Sequence, residues 1–302
     1  MGSDLDDRVT HTATGTPLPV GAAPPELPDR FVPLRMLGHG GQGEVWLAED
    51  RVVGQRVALK LIRDRDGVGG RERTLLEARV GREVAHPHLI RVFDVLDLPG
   101  LLVVVMEWVE GGSLKERLRQ GPLPADQVLR AAEQTLDVLA HLHGKGIVHR
   151  DVKPSNLLLD RSGMVRLADL GLVRHLERPA DLTRTGVTVG TVEYMSPEQL
   201  RGEAPTPAAD LYALGVTLFE LLTGARPFAG SSDFEVAHRH LTEPPPDLRR
   251  GRPDCPRWLA AFVRRLLEKR PADRWPDAAA AREALRRRWA PRWRLWRRAA
   301  AA

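Results

Sequence analysis

The stretch Leu211–Gly224, LYALGVTLFELLTG, is apolar almost all the way round a helical circumference. A surface helix needs a polar face, so this one must run through the middle of a domain with other elements packed on every side. A chain of 302 residues has enough material for one large domain, or two lobes, around such a helix. At 42% hydrophobic and 28% charged residues, the composition is that of a soluble globular protein. The longest purely apolar run, Leu101–Met106, is far too short to cross a bilayer. The single cysteine, Cys255, cannot form an intrachain disulfide, which agrees with a reducing cytoplasm. Formal charge is +5, but residues 286–298 hold seven arginines and no acid, and the rest of the chain carries 38 bases against 40 acids. The body is therefore near neutral, and no nucleic-acid partner is expected.

Upstream of the apolar helix lies HRDVKPSN, from His149 to Asn156. An acid (Asp151), an ammonium (Lys153) and an amide (Asn156) at this spacing suit phosphoryl transfer. The carboxylate accepts a hydroxyl proton, the lysine neutralises a moving phosphate and the amide oxygen holds a metal. Near the start, Gly38, Gly40 and Gly43 form G-x-G-x-x-G followed by Val45. That pattern alone is weak. Here, however, it is followed by a strand (44–49), a turn at Val53–Gly54 and a second strand (56–62), whereas a dinucleotide-binding turn would open a helix. Glycines in a hairpin let backbone N–H groups approach phosphates. Strand alternation then puts Ala58 and Lys60 of VALK on one face. Residues 71–84 read as a helix carrying Glu77. Leu129, Ala132, Leu136, Leu139 and Leu142 recur at helical spacing within 124–143, a core stripe. Ser113 and Glu116 form an S-x-x-E capping box.

Taken in order, these motifs resemble the protein kinases of the bacterial serine/threonine type, over residues 31 to about 288. The resemblance implies an α+β, bilobal fold: a small β-rich lobe (29–106) with one main helix, a linker at 107–112 and a larger, mostly helical lobe (113–288). ATP and Mg²⁺ (or Mn²⁺) would bind between them. Leu37, Gly38, His39, Gly40, Gly41, Gln42 and Gly43 would cover the phosphates, and Lys60, paired with Glu77, would hold them. Val45, Ala58, Met106 and Leu158 would enclose adenine, with the backbone of Glu107 and Val109 bonding its edge. Asp151 and Lys153 would act on the acceptor hydroxyl and γ-phosphate. Asn156 and Asp169, the latter in an Asp-Leu-Gly that stands for the family's Asp-Phe-Gly, would hold the metal. His149 would brace the loop, and Arg150 would meet a phosphate on a later one. Thr183 and Thr185 fall where related kinases phosphorylate themselves, which implies self-association in trans. Thr191 matches the threonine that bonds the catalytic aspartate and lysine. Asp210 would hold the catalytic-loop backbone, and Glu198 would pair with Arg274. Substrates would be proteins with Ser or Thr acceptors. A nucleotide-binding pseudokinase and a small-molecule kinase are the alternatives.

The ends lie outside this pattern. Residues 1–28, with five prolines, read as a disordered leader. In 289–302, Trp289, Trp293 and Trp296 are interleaved with arginines. The stretch 286–298 is read as a contact with an anionic membrane surface, which would make the protein cytoplasmic with a peripheral attachment. Docking on the chain's own C-terminal lobe and a solvated end are the competing readings. Arginine outnumbers lysine 40 to 5, the bias of a GC-rich bacterial genome.

Overall fold

A computed structural model describes residues 27–40, 43–63, 75, 80–170, 192–204 and 206–288. The chain divides into two compact units. One is formed by residues 1–71 and 92–108, the other by 72–91 and 109–302.

The first unit is a five-stranded antiparallel sheet in the order β1-β2-β3-β5-β4, with β1 Phe31–Gly40, β2 Gly43–Asp50, β3 Gln55–Arg63, β4 Val92–Leu98 and β5 Leu101–Glu107. Alternation sorts its side chains cleanly. Val57, Leu59 and Leu61 are buried on one face with Phe31, Met36, Trp46, Ala48, Val103 and Val105. The register opposes Lys60 to Val45 and Val104, and Ala58 to Leu47 and Met106, so these five residues and Lys60 share the other face. The sheet's own core thus fixes which face is left for chemistry.

The second unit is mostly helical. Its described helices include α1 (Leu114–Leu118), α2 (Ala125–Gly144), α3 (Pro197–Leu200), α4 (Pro207–Thr223), α5 (Asp233–Thr242), α6 (Leu248–Gly251), α7 (Arg257–Leu266) and α8 (Ala278–Arg288). A short hairpin, β6 (Leu157–Leu159) and β7 (Val165–Leu167), lies between α2 and α3. As its sequence demands, α4 is buried along its length from Ala209 to Leu222. It begins earlier than its apolar run, at Pro207 behind Thr206, because proline suits a first helical turn, whose N–H groups have no intrahelical acceptor. It ends where Gly224 takes the left-handed conformation, φ 80. The Ser113–Glu116 capping box starts α1, and a second one, Ser196 with Gln199, starts α3.

Residues 72–91, expected with the sheet lobe, group with the helical unit. The reason is a backbone splice: Ile90 N–H donates to the Leu167 carbonyl (2.9 Å) and Leu167 N–H to that of His88 (2.8 Å). Among the described residues no helix is long and apolar enough to cross a membrane.

Candidate active site

In the sheet unit, Lys60 lies mid-strand on β3, half-buried, on the face opposite the core. Gly38 pairs with Val45 and Gly40 with Gly43 across the β1–β2 hairpin, and Leu37 and His39 lie on the same arm. Gly43 is constrained twice over. Its φ is 116, and a Cβ there would stand 2.0 Å from the Leu61 carbonyl oxygen. Met106 and Glu107 end β5, next to Ala58 and Val57 of β3. Gly41 and Gln42 fall outside the described residues.

In the helical unit the loop from His149 to Asn156 is held from beneath. Asp210 of α4, fully buried, accepts backbone N–H bonds from His149 (2.8 Å) and Arg150 (2.6 Å), and its Oδ2 also meets His143 Nε2 at 2.8 Å. Thr217, two turns along the same helix, donates its hydroxyl to the Val152 carbonyl (3.2 Å). The imidazole of His149 is buried and bridges two segments. Its Nδ1 accepts from Asp151 N–H (3.3 Å), and its Nε2 lies 3.1 Å from the Ala168 carbonyl, which assigns the proton to Nε2. Burial pushes its pKa down, so it braces the loop as a neutral ring.

Above this floor, the Asp151 carboxylate is nearly buried and shared. Lys153 Nζ lies 2.9 Å from Oδ2, and Asn156 Nδ2 donates to Oδ2 (2.8 Å) and to the Asp151 carbonyl (2.9 Å). Since the amide nitrogen is spent on both bonds, the Asn156 amide oxygen is turned elsewhere and, among the described residues, accepts from the Ser155 hydroxyl at 3.5 Å. Asp169 follows directly. Ala168 N–H donates to the Asn156 carbonyl (2.8 Å), and Asp169 then turns with φ 57, in the left-handed region. An amide oxygen and a carboxylate carried on adjoining backbone form a hard-oxygen pair of the kind Mg²⁺ takes along with phosphate oxygens and water. Among the described residues no cluster of His, Cys, Asp and Glu makes another metal site. The residues present therefore fit magnesium.

The linker is fastened to this hairpin: Gly111 N–H donates to the Leu159 carbonyl (2.9 Å) and Leu159 N–H to that of Gly112 (2.8 Å). Leu158, half-buried on β6, and Val109 therefore belong to the helical unit. Further out, Arg274 forks onto Glu198 through two bonds of 2.6 and 2.8 Å, with side chains 0% and 2% exposed. It also donates to the carbonyls of Ala208, Glu268 and Lys269, which answers the desolvation of the guanidinium.

Glu77, Thr183, Thr185, Thr191 and residues 289–302 lie outside the described residues. The basic stretch is partly neutralised where it begins, since Arg286 pairs with Glu133 of α2 (2.5 Å) and Arg287 with Glu283 (2.9 Å). Sequence reasoning missed His143, Thr217 and a buried network in which the Tyr194 hydroxyl donates to Glu220 (2.5 Å). Only Glu220 had a visible signal, as the one acid within the apolar run of α4.

A glycine hairpin beside a lysine-bearing sheet face, and an acid, lysine and amide floored by a central helix, are the features that the resemblance to protein kinases leads one to expect, and the chain belongs to that family. The model of the protein kinase domain matches residues 31–290. Among curated proteins, the chain is 37% identical over 253 residues to serine/threonine-protein kinase PrkC of Bacillus subtilis (strain 168), covering 82% of this chain and 39% of that protein. It is 40% identical over 259 residues to the DNA damage-responsive serine/threonine-protein kinase RqkA of Deinococcus radiodurans, covering 84% and 39%. The chain thus spans about two fifths of the length of these relatives. Among solved structures, it superposes with a TM-score of 0.68 and 27% identity on Rad53 1-466 in complex with AMP-PNP, covering 84% of this chain and 64% of that one.

Proposed function

We propose that the chain is a serine/threonine protein kinase that transfers the γ-phosphate of ATP to Ser and Thr hydroxyls of proteins. The observation that carries this reading is the Asp151 carboxylate, held in one orientation by Lys153 at 2.9 Å and Asn156 at 2.8 Å. A carboxylate so fixed orients an acceptor hydroxyl and takes its proton as the acceptor O–P bond forms and the bond from the γ-phosphorus to the bridging oxygen breaks, releasing ADP. Lys153 then follows the charge onto the transferred phosphoryl group. Lys60, with Glu77 as its partner, holds the α- and β-phosphates. Backbone groups of Glu107 and Val109 read adenine, with Val45, Ala58, Met106 and Leu158 around the ring. Asn156 and Asp169 hold magnesium, which when bound neutralises phosphate charge. Catalysis is chiefly positioning and charge complementarity. Thr191 orients Asp151 and Lys153, and self-phosphorylation falls on Thr183 or Thr185, facing Arg150.

The test is incubation of the purified chain with labelled ATP and Mg²⁺. Label should appear on Thr183 or Thr185, and it should vanish in Lys60→Met and Asp151→Asn. A wild-type chain that binds ATP yet labels neither itself nor any protein substrate would be a pseudokinase.

A further inference from the structure

Glu220 stands three residues beyond Thr217 on α4, so the two share a face about one turn apart, roughly 5 Å along the axis. Thr217 bonds the carbonyl of Val152, the residue after Asp151. The Glu220 carboxylate is therefore close beneath the catalytic loop. Its side chain is 4% exposed and its oxygens are divided. Oε2 accepts from Tyr194 (2.5 Å) and Oε1 accepts from Lys115 Nζ (2.8 Å). The Tyr194 phenol is pushed well above its ordinary range by burial first and by the Glu220 charge next, with Asp151 adding to it. Tyr194 therefore stays protonated and forms a permanent wall of the site.

Lys115 is different. It sits on α1, which packs against the turn Pro154–Asn156, and its side chain is 46% exposed. It is a removable cap on a buried acid. The acid next to Tyr194, Glu193, is likewise matched from within the chain, by Arg226.

A nearly buried carboxylate beside the phosphoryl acceptor site would, without a cation of its own, select a basic side chain on an incoming polypeptide. We infer that Lys115 is a specificity-determining residue. By occupying Glu220 from within the chain it removes selection for Arg or Lys near the acceptor, so the protein substrates need no basic residue at that position. An arriving guanidinium can gain only the difference between two cations on one oxygen. With Lys115 gone it gains a whole charge-assisted bond. This inference rests on the kinase reading above.

The test uses short fluorescein-labelled peptides with a central Thr, flanked on the N- or C-terminal side by alanines or by arginines. Binding to the full chain is followed by fluorescence anisotropy, and phosphate transfer to the same peptides is measured separately. Wild type and Lys115→Arg should bind the paired peptides within about threefold of each other. Lys115→Ala should favour one arginine peptide by about tenfold or more, and Lys115→Ala/Glu220→Gln should lose that preference. If Lys115→Ala melts far below wild type, Lys115→Gln, which keeps the aliphatic stem, takes its place. The inference is overturned if wild type already favours arginine tenfold, or if removing the lysine charge changes nothing. Binding with the expected pattern but no transferred phosphate would instead remove the catalytic reading and leave the charge relation standing.

Discussion

The carboxylate of Asp210 accepts a 2.6 Å hydrogen bond from the backbone N–H of Arg150, and Arg150 holds φ at 71. Glycines aside, Arg150 and Asp169 are the only described residues in the left-handed region, and they bracket residues 151–168. Such a conformation costs about 1–2 kcal/mol for a residue with a Cβ, so the buried carboxylate is what keeps the loop in it. Asp210→Asn keeps one acceptor and loses the charge and the second acceptor. Its stability should fall by about 1.5–3 kcal/mol in urea denaturation. Its phosphorylation rate should drop by more than about tenfold, with nucleotide affinity nearly unchanged. A destabilised variant with the wild-type rate would show that the loop does not need this anchor.

The Glu198–Arg274 pair is fully desolvated, so removing one partner strands a buried charge. Arg274→Met should lower stability by about 3–5 kcal/mol, and Glu198→Leu/Arg274→Met should recover part of that loss. Thermal melts of the three chains decide between this and a merely decorative pair.

Gly43 and Gly54 both have positive φ but differ in surroundings. A Cβ on Gly43 meets the Leu61 carbonyl oxygen at 2.0 Å, whereas nothing lies within 4 Å of one on Gly54. Gly54→Ala should cost about 1 kcal/mol. Gly43→Ala should cost about 2–3 kcal/mol or more and weaken ATP binding, because β2 must part from β3 or the hairpin must tilt.

Besides His149, two imidazoles make the helical unit sensitive to acid. His240 is depressed from 6.5 to about 3 by burial first and then by Lys269 and Arg226. His86 is lowered from 6.5 to about 4 by burial, then by His141, His88 and Arg282. Both folded values lie below the unfolded one, so between them only the unfolded chain takes up the proton. Their contribution to stability is complete above pH 6.5 and is lost as pH falls towards these folded values. The melting temperature should therefore decline from pH 7 to pH 5, where carboxylates are still ionised, and the decline should be shallower in His240→Gln. A flat profile in wild type would contradict this.

Much of the molecule can be read from local pattern. The alternation in β3 put Ala58 and Lys60 on one face, the Ser113–Glu116 capping box marked a helix start, and the unrelieved apolarity of α4 made it central. Asp151, Lys153 and Asn156 were legible because they sit on one short loop, and their hydrogen bonds span five residues at most. Periodicity and capping are decided by neighbours a few residues away, so the chain carries that information in order.

Partner choice at long range is different. Lys115 meets Glu220 across 105 positions, and Asp210 gathers His143, His149 and Arg150 across 60 to 67. The 76-residue link between Glu198 and Arg274 was foreseen only through resemblance, not from anything local. With 45 bases and 40 acids along the chain, charge alone leaves the pairing open. It is settled when helices pack at fixed distances around α4, because burial removes water as the alternative partner and leaves each carboxylate only the donors that packing has brought within about 3 Å.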